Sequence, residues 1–402
     1  MVNVKVLQVN CTYNQGSTGK IAYDIHVALQ QKGYESIVCY GRRQLIREKN
    51  VYKTCGELYS KLNNAWSRFT GLMYGGLFFS TKKLIRIIER EKPTVVHLHC
   101  LNGHFVNIYR LISFLKKSGI RTILTLHAEF MYTANCGHSY DCEKWKTGCG
   151  KCLEFKSITR SIFFDKTQKS WKKMKKAFDS FENLTVVSVS PWLMNRAKQS
   201  PILKDKKHVV VLNGLNTEVF HIYEDALLKR QHAIASEKIV FHATPMLSDE
   251  INHIKGGYYV LKAAEKLANK GYRFFIAGDY KNLIKVPKNV TLLGRIEDQK
   301  LLAKYYSMAD VTLLTSKRET FSMVCAESLA CGTPVVGFKA GAPEQISIPK
   351  YSRFVEWGDV DALCKEIENC LTEHYGKKDI EQAALKVYDK KEMLEQYIRL
   401  YK

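Results

Sequence analysis

The chain has 402 residues, of which 46% are hydrophobic and 25% charged, a composition typical of a globular protein with two or three domains. The sequence opens on a strand-like segment without a secretory signal, and no stretch approaches the ~18 apolar residues of a membrane span. Both observations exclude secreted and membrane-spanning classes, so we expect a cytoplasmic protein. The formal net charge of +23 favours a polyanionic partner, such as nucleic acid, an anionic membrane or a phosphate-bearing substrate.

Strand-like and helix-like stretches alternate along the whole chain. In the first half, predicted strands cover residues 4–10, 35–40, 94–99, 121–127, 184–190 and 208–213, with helices at 16–33 and 105–117. The pattern restarts with predicted strands at 238–243, 272–278, 290–293, 311–314 and 334–338, and with helices at 256–271, 299–308 and 323–330. This alternation predicts an α/β fold with parallel sheets covered by helices.

The restart of the pattern predicts two domains. We place the first at residues 1–213, with a cysteine-rich insertion at 136–152, and the second at 214–385. Residues 381–402 have helical periodicity and are followed by no strand. We expect the final helix, 386–402, to cross back and pack on the first domain.

Two glutamates, Glu319 and Glu327, stand eight residues apart at the start of a predicted helix. Two helical turns span about seven residues, so the helix N-terminus lies between the two carboxylates. That end offers unpaired N–H groups and the positive end of the helix dipole, which suit a diphosphate. One carboxylate would then lie beside a sugar and the other beside a ribose. Taken alone, the pair fits two solvated acids at a helix start equally well.

The glutamate pair is followed by Leu-Ala-Cys-Gly-Thr-Pro-Val-Val at 329–336. With the segments 190–193 and 210–220, this stretch resembles glycosyltransferase family 4, and the resemblance covers nearly the whole chain. It implies the GT-B fold, in which two Rossmann-like domains face a central cleft. It also implies a retaining enzyme that moves a sugar from a nucleotide diphosphate donor, most often UDP and in some members GDP. The acceptor would be a glycan or a lipid-linked sugar in capsule or exopolysaccharide synthesis.

The resemblance implies roles for single residues. Glu319, His127 and Lys255 are the candidate catalytic residues: Glu319 at the donor sugar, His127 near the reacting centre and Lys255 at the diphosphate. Glu327 should bind the ribose hydroxyls. The other donor-binding candidates are Gly16 and Ser17 in a glycine loop, Gly294 and Arg295 beside the base, and Phe321, Ser322, Met323 and Val324 at the helix start. A surface lysine and a structural histidine are the alternatives for Lys255 and His127.

The chain departs from the family at one phosphate contact. The family carries Gly-Arg where this chain has His242-Ala243-Thr244, which leaves Arg295, His253 and Lys317 as alternative replacements. Catalysis in the family needs no metal, because the leaving phosphate accepts the acceptor proton in a front-face reaction. The Asp-x-Asp at 359–361 is therefore interpreted as a helix N-cap followed by a first-turn acid.

Four cysteines cluster in the first half of the chain. Cys136, Cys142, Cys149 and Cys152 lie within seventeen residues, and the last two have the two-residue gap common in zinc sites. In a reducing cytoplasm zinc is favoured over disulfides. We predict a structural zinc that holds a long loop, with four unligated thiols as the alternative.

Residues 156–176 carry eight cations and one acid, with aromatic and aliphatic residues between them. Such a basic amphipathic segment suits an anionic membrane surface, so we predict a peripheral protein on the inner face of the cell membrane. A solvated helix with its apolar face in the core is the alternative.

Two other functions fit part of the sequence. A nucleotide-sugar epimerase shares the fold, and a basic zinc-containing nucleic-acid-binding protein would explain charge and cysteines together. The glutamate pair favours transfer over both, so we expect no nucleic-acid partner.

Overall fold

The computed structural model describes residues 4–281, 283 and 285–402. The chain forms two compact units. The first comprises the residues up to Val211 together with Leu394–Lys402, and the second comprises Leu212–Met393. Each unit contains one parallel sheet with helices around it, which confirms the predicted α/β class with two Rossmann-like sheets.

The first unit is built on a seven-stranded sheet. Its strands are β1 (Lys5–Asn10), β2 (Glu35–Tyr40), β3 (Val51–Lys53), β4 (Val95–Leu98), β5 (Arg121–Leu126), β6 (Leu184–Ser188) and β7 (Lys207–Val210). Its helices are α1 (Gly16–Gln31), α2 (Glu57–Thr70), α3 (Phe79–Glu91), α4 (Ile108–Ser118), α5 (Phe130–Thr133), α6 (Phe155–Ile158), α7 (Thr167–Phe178) and α8 (Pro191–Lys198). The strand order is β3-β2-β1-β4-β5-β6-β7, and all neighbours are parallel.

The central strands of this sheet lie in the core of the first unit. Every residue of β4 is buried, and so are all residues but the first in β1, β2 and β5. Continuous burial is expected where helices cover both faces of a parallel sheet. The order of the strands reverses at β1 and β4, and ligands of open α/β sheets bind beyond the carboxyl ends of the strands at such a point.

The second unit has a six-stranded sheet in the order β10-β9-β8-β11-β12-β13. Its strands are β8 (Lys238–Leu247), β9 (Tyr272–Tyr280), β10 (Val290–Gly294), β11 (Val311–Leu314), β12 (Val335–Phe338) and β13 (Ser352–Val355). Its helices are α9 (Ala226–Gln231), α10 (Gly257–Leu267), α11 (Gln299–Met308), α12 (Met323–Ala330), α13 (Pro343–Ile346), α14 (Val360–Thr372) and α15 (Lys377–Tyr388). The last helix of the chain is α16 (Lys390–Tyr401).

One apolar cluster holds the second sheet to its helices. Val240, Phe274 and Val336 from three strands pack with Leu261 of α10 and Ile367 of α14, and all five are buried. Helix α14 is capped by Asp359, whose carboxylate accepts a hydrogen bond from the N–H of Ala362 at 2.9 Å. This confirms the prediction that the Asp-x-Asp sequence caps a helix.

The C-terminal helical region differs from the prediction of one continuous helix. It is interrupted at Asp389, between α15 and α16. The backbone here pairs with Leu215, which donates to the carbonyl of Tyr388 at 2.7 Å and accepts from the N–H of Lys390 at 3.1 Å. The Asp389 carboxylate accepts from the N–H of Lys391 at 2.8 Å and so restarts the helix. Pairing with a distant segment, rather than a proline or glycine, ends α15.

In the part of the chain that the structure describes, each helix is too short or too polar to cross a lipid bilayer.

Candidate active site

In the second unit, Lys255 and Glu319 form an ion pair. The Nζ of Lys255 lies 2.6 Å from Oε1 of Glu319, and both side chains are partly accessible. Lys255 precedes α10 and Glu319 follows β11, so the pair lies beyond the carboxyl ends of the strands. An ammonium within hydrogen-bond distance of a carboxylate at this edge can bind a phosphate and a sugar hydroxyl side by side.

Hydrogen bonds between two loops position this ion pair. The hydroxyl of Thr315 donates to the carbonyl of Lys255 at 3.0 Å, and the N–H of Lys317 donates to the carbonyl of Ile254 at 2.8 Å. On the other side, the N–H of Glu319 donates to the carbonyl of Ala340 at 3.0 Å. The backbones on both sides of the ion pair are therefore anchored.

Gly256 is required by this arrangement. Its φ is +65°, and a Cβ at this position would lie 2.0 Å from the carbonyl oxygen of Thr315. A side chain here would push the two loops apart, because the atom it meets belongs to the backbone. Glycine is thus the residue that lets Lys255 approach Glu319.

The N-terminus of α12 lies between the two glutamates, as the spacing predicts. Ser322 caps this helix by accepting a hydrogen bond from the N–H of Cys325 at 3.3 Å. Its φ of +89° is unusual for a residue with a side chain and costs about 1–3 kcal/mol. Met323 and Val324 are partly buried, whereas the side chain of Phe321 is buried against Tyr388. Only the backbone of Phe321 is therefore available to a ligand.

Glu327 lines a cavity of about 190 Å³, together with Thr244, Gly278 and Val324. The hydroxyl of Tyr306 donates to the Glu327 carboxylate at 3.1 Å. Burial and the nearby carboxylate raise the pKa of Tyr306 well above its usual value, so the phenol stays protonated and keeps donating. Tyr306 was not predicted from the sequence, because this residue lies twenty-one positions before Glu327 and belongs to no recognised motif.

His242 does not replace the absent family arginine. The residue is buried, and its Nδ1 lies 2.8 Å from the carbonyl oxygen of Leu313. Burial lowers the pKa of His242 to about 4, so the ring is neutral near neutral pH. The neutral imidazole makes its hydrogen bond to the carbonyl oxygen of Leu313 within the sheet, so it supplies no positive charge to a phosphate.

The three alternative cations have different surroundings. The guanidinium of Arg295 is exposed and lies 3.4 Å from the carboxylate of Asp279. The ammonium of Lys317 lies 4.7 Å from the centre of the Trp357 ring. Nδ1 of His253 accepts a hydrogen bond from the N–H of Lys255 at 3.4 Å, which places this imidazole beside the lysine.

In the first unit, three histidines follow one another at the ends of β4 and β5. Nδ1 of His99 lies 3.4 Å from Nε2 of His127, and Nε2 of His99 lies 3.0 Å from the side-chain oxygen of Gln8. The rings of His97 and His99 are in contact, with centroids 3.8 Å apart. His97 in turn lies 2.7 Å from the hydroxyl of Tyr401. His97 and His99 are buried, whereas His127 is partly accessible.

These histidines are neutral near neutral pH. Burial lowers the pKa of His127 to about 4, and burial together with the neighbouring rings lowers the pKa values of His97 and His99 well below 6.5. His127 is the partly accessible member of the row, and a neutral imidazole can both donate and accept hydrogen bonds. The ring of His99 contacts it at 3.4 Å.

The glycine loop after β1 leads into α1. Gly16 has a φ of +66°, and no atom lies within 4 Å of where its Cβ would be. Helix α1 begins without a side-chain cap hydrogen bond, and Ser17 in its first turn is exposed. The space over Gly16 and the uncapped helix start are what phosphate binding to such a loop requires.

The cysteine-rich loop is anchored by a buried carboxylate. Glu129 accepts hydrogen bonds from the hydroxyls of Tyr132 at 2.8 Å and Ser139 at 2.6 Å. The guanidinium of Arg196 lies 3.4 Å from the same carboxylate and 5.0 Å from the centre of the buried Trp145 ring. Glu129 was not predicted from the sequence, because an isolated glutamate after a strand does not indicate burial.

The four cysteines belong to the loop between α5 and α6. Burial raises the pKa of Cys136, and the charges of the other three thiols raise it further. Cys136, Cys142 and Cys152 line a cavity of about 300 Å³, while Sγ of Cys149 lies 3.7 Å from the carbonyl oxygen of Thr133. Over residues 4–281, 283 and 285–402, no three His, Cys, Asp or Glu side chains converge as a metal site. The chemistry of four thiolates suits zinc, and the zinc site stays a prediction.

The basic segment 156–176 does not form one helix. Helix α7 buries the apolar residues Trp171 and Met174 and exposes its lysines, which is the alternative of a solvated helix over its core. Before this helix, Ile162, Phe163 and Phe164 are exposed.

Sequence comparisons identify two matching families. The model described as Glycosyltransferase Family 4 matches residues 18–219, and the model described as Glycosyl transferases group 1 matches residues 239–373. The first match covers half of the chain. It contains the end of the glycine loop that follows β1, all three histidines and the cysteine-rich loop. The second contains Lys255, Glu319 and Glu327.

The chain is similar over its whole length to known sequences and solved structures. It is 22% identical to WcaC of Escherichia coli K12, which is described as a putative colanic acid biosynthesis glycosyl transferase, with 99% of each chain covered. Among solved structures, sucrose-phosphate synthase of Thermosynechococcus elongatus has a TM-score of 0.68 at 15% identity, covering 99% of this chain and 98% of that one. HepE of Anabaena in complex with UDP has a TM-score of 0.65 at 14% identity, covering 99% of both. The structural neighbours share the GT-B fold.

Proposed function

Because this chain belongs to glycosyltransferase family 4, we propose that it transfers a sugar from a UDP-sugar to a glycan or lipid-linked acceptor with retention of anomeric configuration. The observation that carries the proposal is the contact of 2.6 Å between Lys255 and Glu319 beside the N-terminus of α12. At this strand end Lys255 and the N-terminus of α12 can bind the diphosphate of a nucleotide sugar, and Glu319 can accept hydrogen bonds from the sugar hydroxyls.

In the proposed complex, the nucleoside occupies the cavity of Glu327. The Glu327 carboxylate, which accepts from the hydroxyl of Tyr306 at 3.1 Å, also accepts from the ribose hydroxyls in this complex. Gly294 and Arg295 approach the base through the backbone. The ion pair then opens: Lys255 turns to the diphosphate, and Glu319 accepts from hydroxyls of the donor sugar.

The proposed reaction takes place on one face of the sugar. The bond from the anomeric carbon to the diphosphate oxygen breaks, and a bond from the same carbon to the acceptor oxygen forms. The acceptor proton passes to the departing phosphate oxygen, so no side chain needs to act as nucleophile or base and no catalytic metal is required. Lys255 and the N–H groups of α12 stabilise the negative charge that develops on the diphosphate.

The first unit contributes the glycine loop and the histidine row. Gly16 and Ser17 allow the diphosphate to approach the start of α1, and His127 exchanges hydrogen bonds with hydroxyls near the reacting carbon. A neutral imidazole suits this role, since it binds hydroxyls without placing a second cation beside the positively charged sugar of the transition state.

Synthesis of a cell-surface polysaccharide at the inner face of the membrane is the proposed setting. WcaC, which is similar along its whole length, is named for colanic acid biosynthesis, and HepE of the same fold was solved with UDP. Lipid-linked acceptors are held at the membrane, so peripheral attachment of this chain would bring it to its substrate.

A binding experiment tests the donor site. Thermal unfolding of the wild type is compared with and without UDP, GDP and a panel of their sugars, since a ligand that binds the folded state raises the melting temperature. We expect a rise with UDP and one UDP-sugar, and loss of that rise in Glu327→Gln. The control is Glu356→Gln, which changes an exposed glutamate on the same unit and should respond like the wild type.

Other outcomes separate the alternatives. A rise with GDP-sugars alone would replace the proposed nucleotide. Binding of a UDP-sugar followed by its conversion to an isomer, without transfer, would favour the epimerase. No response to any nucleotide, together with binding to RNA or DNA at physiological salt, would overturn the proposal. Retention itself is tested by the anomeric configuration of the product in NMR spectra.

A further inference from the structure

Helix α2 in the first unit is inverted relative to an ordinary surface helix. Its fully buried residues are polar: Ser60, Asn63 and Ser67. Its exposed residues include four large apolar side chains, at positions that share one helix face. These are Leu58, Leu62, Trp66 and Phe69, with Leu58 72% and Phe69 57% exposed.

Each of the three buried polar residues of α2 makes a side-chain hydrogen bond. The amide of Asn63 donates to the carbonyl of His104 at 3.0 Å and accepts from the N–H of Leu77 at 2.7 Å. The hydroxyls of Ser60 and Ser67 donate to the carbonyls of Glu57 at 2.9 Å and Leu72 at 3.2 Å. Turning the helix to bury its apolar face would break the bonds of Asn63 and Ser67, because their partners lie outside α2. The fold therefore holds the apolar stripe toward solvent.

A second exposed apolar segment adjoins the end of α2. The N–H of Ile162 donates to the carbonyl of Arg68 at 2.9 Å, and the rings of Phe69 and Phe163 are 6.3 Å apart. Phe163 is 63% exposed, and its neighbours Ile162 and Phe164 are exposed as well. We define the α2 surface as the four apolar residues of the helix together with residues 162–164.

Five exposed cations lie on α2 or in the segment 156–166, namely Lys61, Arg68, Lys156, Arg160 and Lys166, and the ammonium of Lys166 lies 5.5 Å from the centre of the Phe164 ring. The acids close to it are engaged: Glu57 lies 2.8 Å from Arg42, and Asp165 accepts from the N–H groups of Cys152 and Thr167. Glu154 accepts from the hydroxyl of Ser157. An exposed apolar patch with cations beside it suits binding to the interface of a bilayer that contains anionic lipids.

We propose that the α2 surface inserts into the headgroup region of an anionic lipid bilayer. A second copy of this chain fits less well, because it would bring an equally basic surface and a net charge of +23 against the first. The inference extends the proposed function, since it assigns the membrane contact to α2 and residues 162–164 rather than to the lysines of α7.

The test is cosedimentation with vesicles of equal parts phosphatidylglycerol and phosphatidylcholine. We expect the triple variant Trp66→Ser, Phe69→Ser, Phe163→Ser to lower the partition coefficient by about tenfold or more. The matched control is Leu227→Ser, Ile251→Ser, Val387→Ser, which removes three exposed apolar residues from the second unit and should bind like the wild type. Melting temperatures of both variants equal to that of the wild type establish that folding is intact.

Charge variants distinguish the two basic regions. Lys61→Gln, Arg68→Gln, Lys166→Gln should weaken binding by about fivefold per cation, and more than the same change at Lys169, Lys172 and Lys176. Equal binding of the apolar triple variant and the wild type, or loss of binding only with the α7 lysines, would overturn the proposal. So would concentration-dependent dimerisation in solution that the triple variant abolishes, because the surface would then serve a second copy.

Fluorescence provides a direct readout of insertion. Emission from Trp66 should shift to shorter wavelength with these vesicles and be quenched by lipids with brominated acyl chains, and Trp66→Phe should remove that component. The donor-site variant Glu327→Gln should bind vesicles normally. Failure of the membrane proposal is therefore separable from failure of the proposed transfer reaction.

Discussion

The two units present different chemistry at the carboxyl ends of their parallel strands. In the second unit this edge holds an ammonium and a carboxylate 2.6 Å apart, next to the positive end of a helix. In the first unit it holds a row of histidines whose pKa values are lowered by burial. In the proposed reaction, the edge of the second unit stabilises charge and the edge of the first unit exchanges hydrogen bonds without charge. Similar sheets thus divide the proposed reaction into a phosphate end and a hydroxyl end.

The largest expected effect is loss of the charged end. Lys255→Met should lower kcat/KM for the donor by about a thousandfold, because it removes the cation that stabilises the leaving diphosphate and leaves Glu319 without its partner. Lys255→Arg, which keeps the charge, should lose much less. The measurement is steady-state transfer at varied donor concentration, and equal activity of the methionine variant and the wild type would contradict the comparison.

The cysteine cluster decides whether the first unit also holds a metal cation. We expect about one zinc per chain by elemental analysis of protein purified under reducing conditions. Cys149→Ser, Cys152→Ser should lose the metal and about 5 °C or more in Tm, whereas Cys11→Ser should retain both. Metal-free wild type with four freely titrating thiols would refute the zinc prediction.

The neutral end should be less sensitive than the charged end. His127→Ala should lower kcat by about ten- to a hundredfold, and His127→Asn by less, because asparagine still exchanges hydrogen bonds. Since the pKa of His127 lies at about 4, kcat of the wild type should show no titration of this group between about pH 6 and pH 8. A pH profile that loses an ionisation near pH 6.5 in His127→Asn would show a charged role instead.

Acid should destabilise both units through their buried histidines. The pKa of His242 is about 4 in the folded state and 6.5 for the free side chain. The unfolded chain therefore binds more protons between these values, and stability is complete above pH 6.5 and falls toward pH 4. At about pH 5 the loss is about 2 kcal/mol for this residue. The fall in Tm from pH 7 to pH 5 should be smaller in His242→Asn, and an unchanged fall would refute the assignment.

The smallest effect is expected at Arg295. Its guanidinium is exposed and lies 3.4 Å from Asp279, so Arg295→Gln should change stability by less than about 0.5 kcal/mol. Donor KM should rise by less than about threefold, since the proposed contact with the base uses the backbone. A large rise in KM with unchanged stability would mark Arg295 as the missing phosphate cation and extend the charged end.

Local sequence predicted the sheets because buried parallel strands leave continuous apolar runs. It did not reveal the edge strands β3 and β13. It also missed α2, whose apolar residues face solvent and belong to no core. A pattern in sequence records which residues share a face, and only the packing around the helix shows where that face points.

The candidate site was predictable to a similar depth. The spacing of Glu319 and Glu327 located the helix start between them, since both lie in one segment. The ion pair with Lys255 spans sixty-four positions and depends on loop–loop hydrogen bonds and on a glycine held by Thr315. The interruption at Asp389 has the same origin, because a distant strand-like contact with Leu215 overrides local helical preference.

The first unit contains a segment from the C-terminal part of the sequence. Leu394–Lys402 belong to the first unit, where Tyr401 lies 2.7 Å from His97 and Tyr397 lies 3.2 Å from Thr125. A ribosome adds about 5–20 residues per second, so the intervening second unit delays these contacts by about 10–40 s. Until residues 394–402 are made, His97 and Thr125 lack these two partners. Synthesis from the N-terminus therefore completes the first unit only after the second unit has been made.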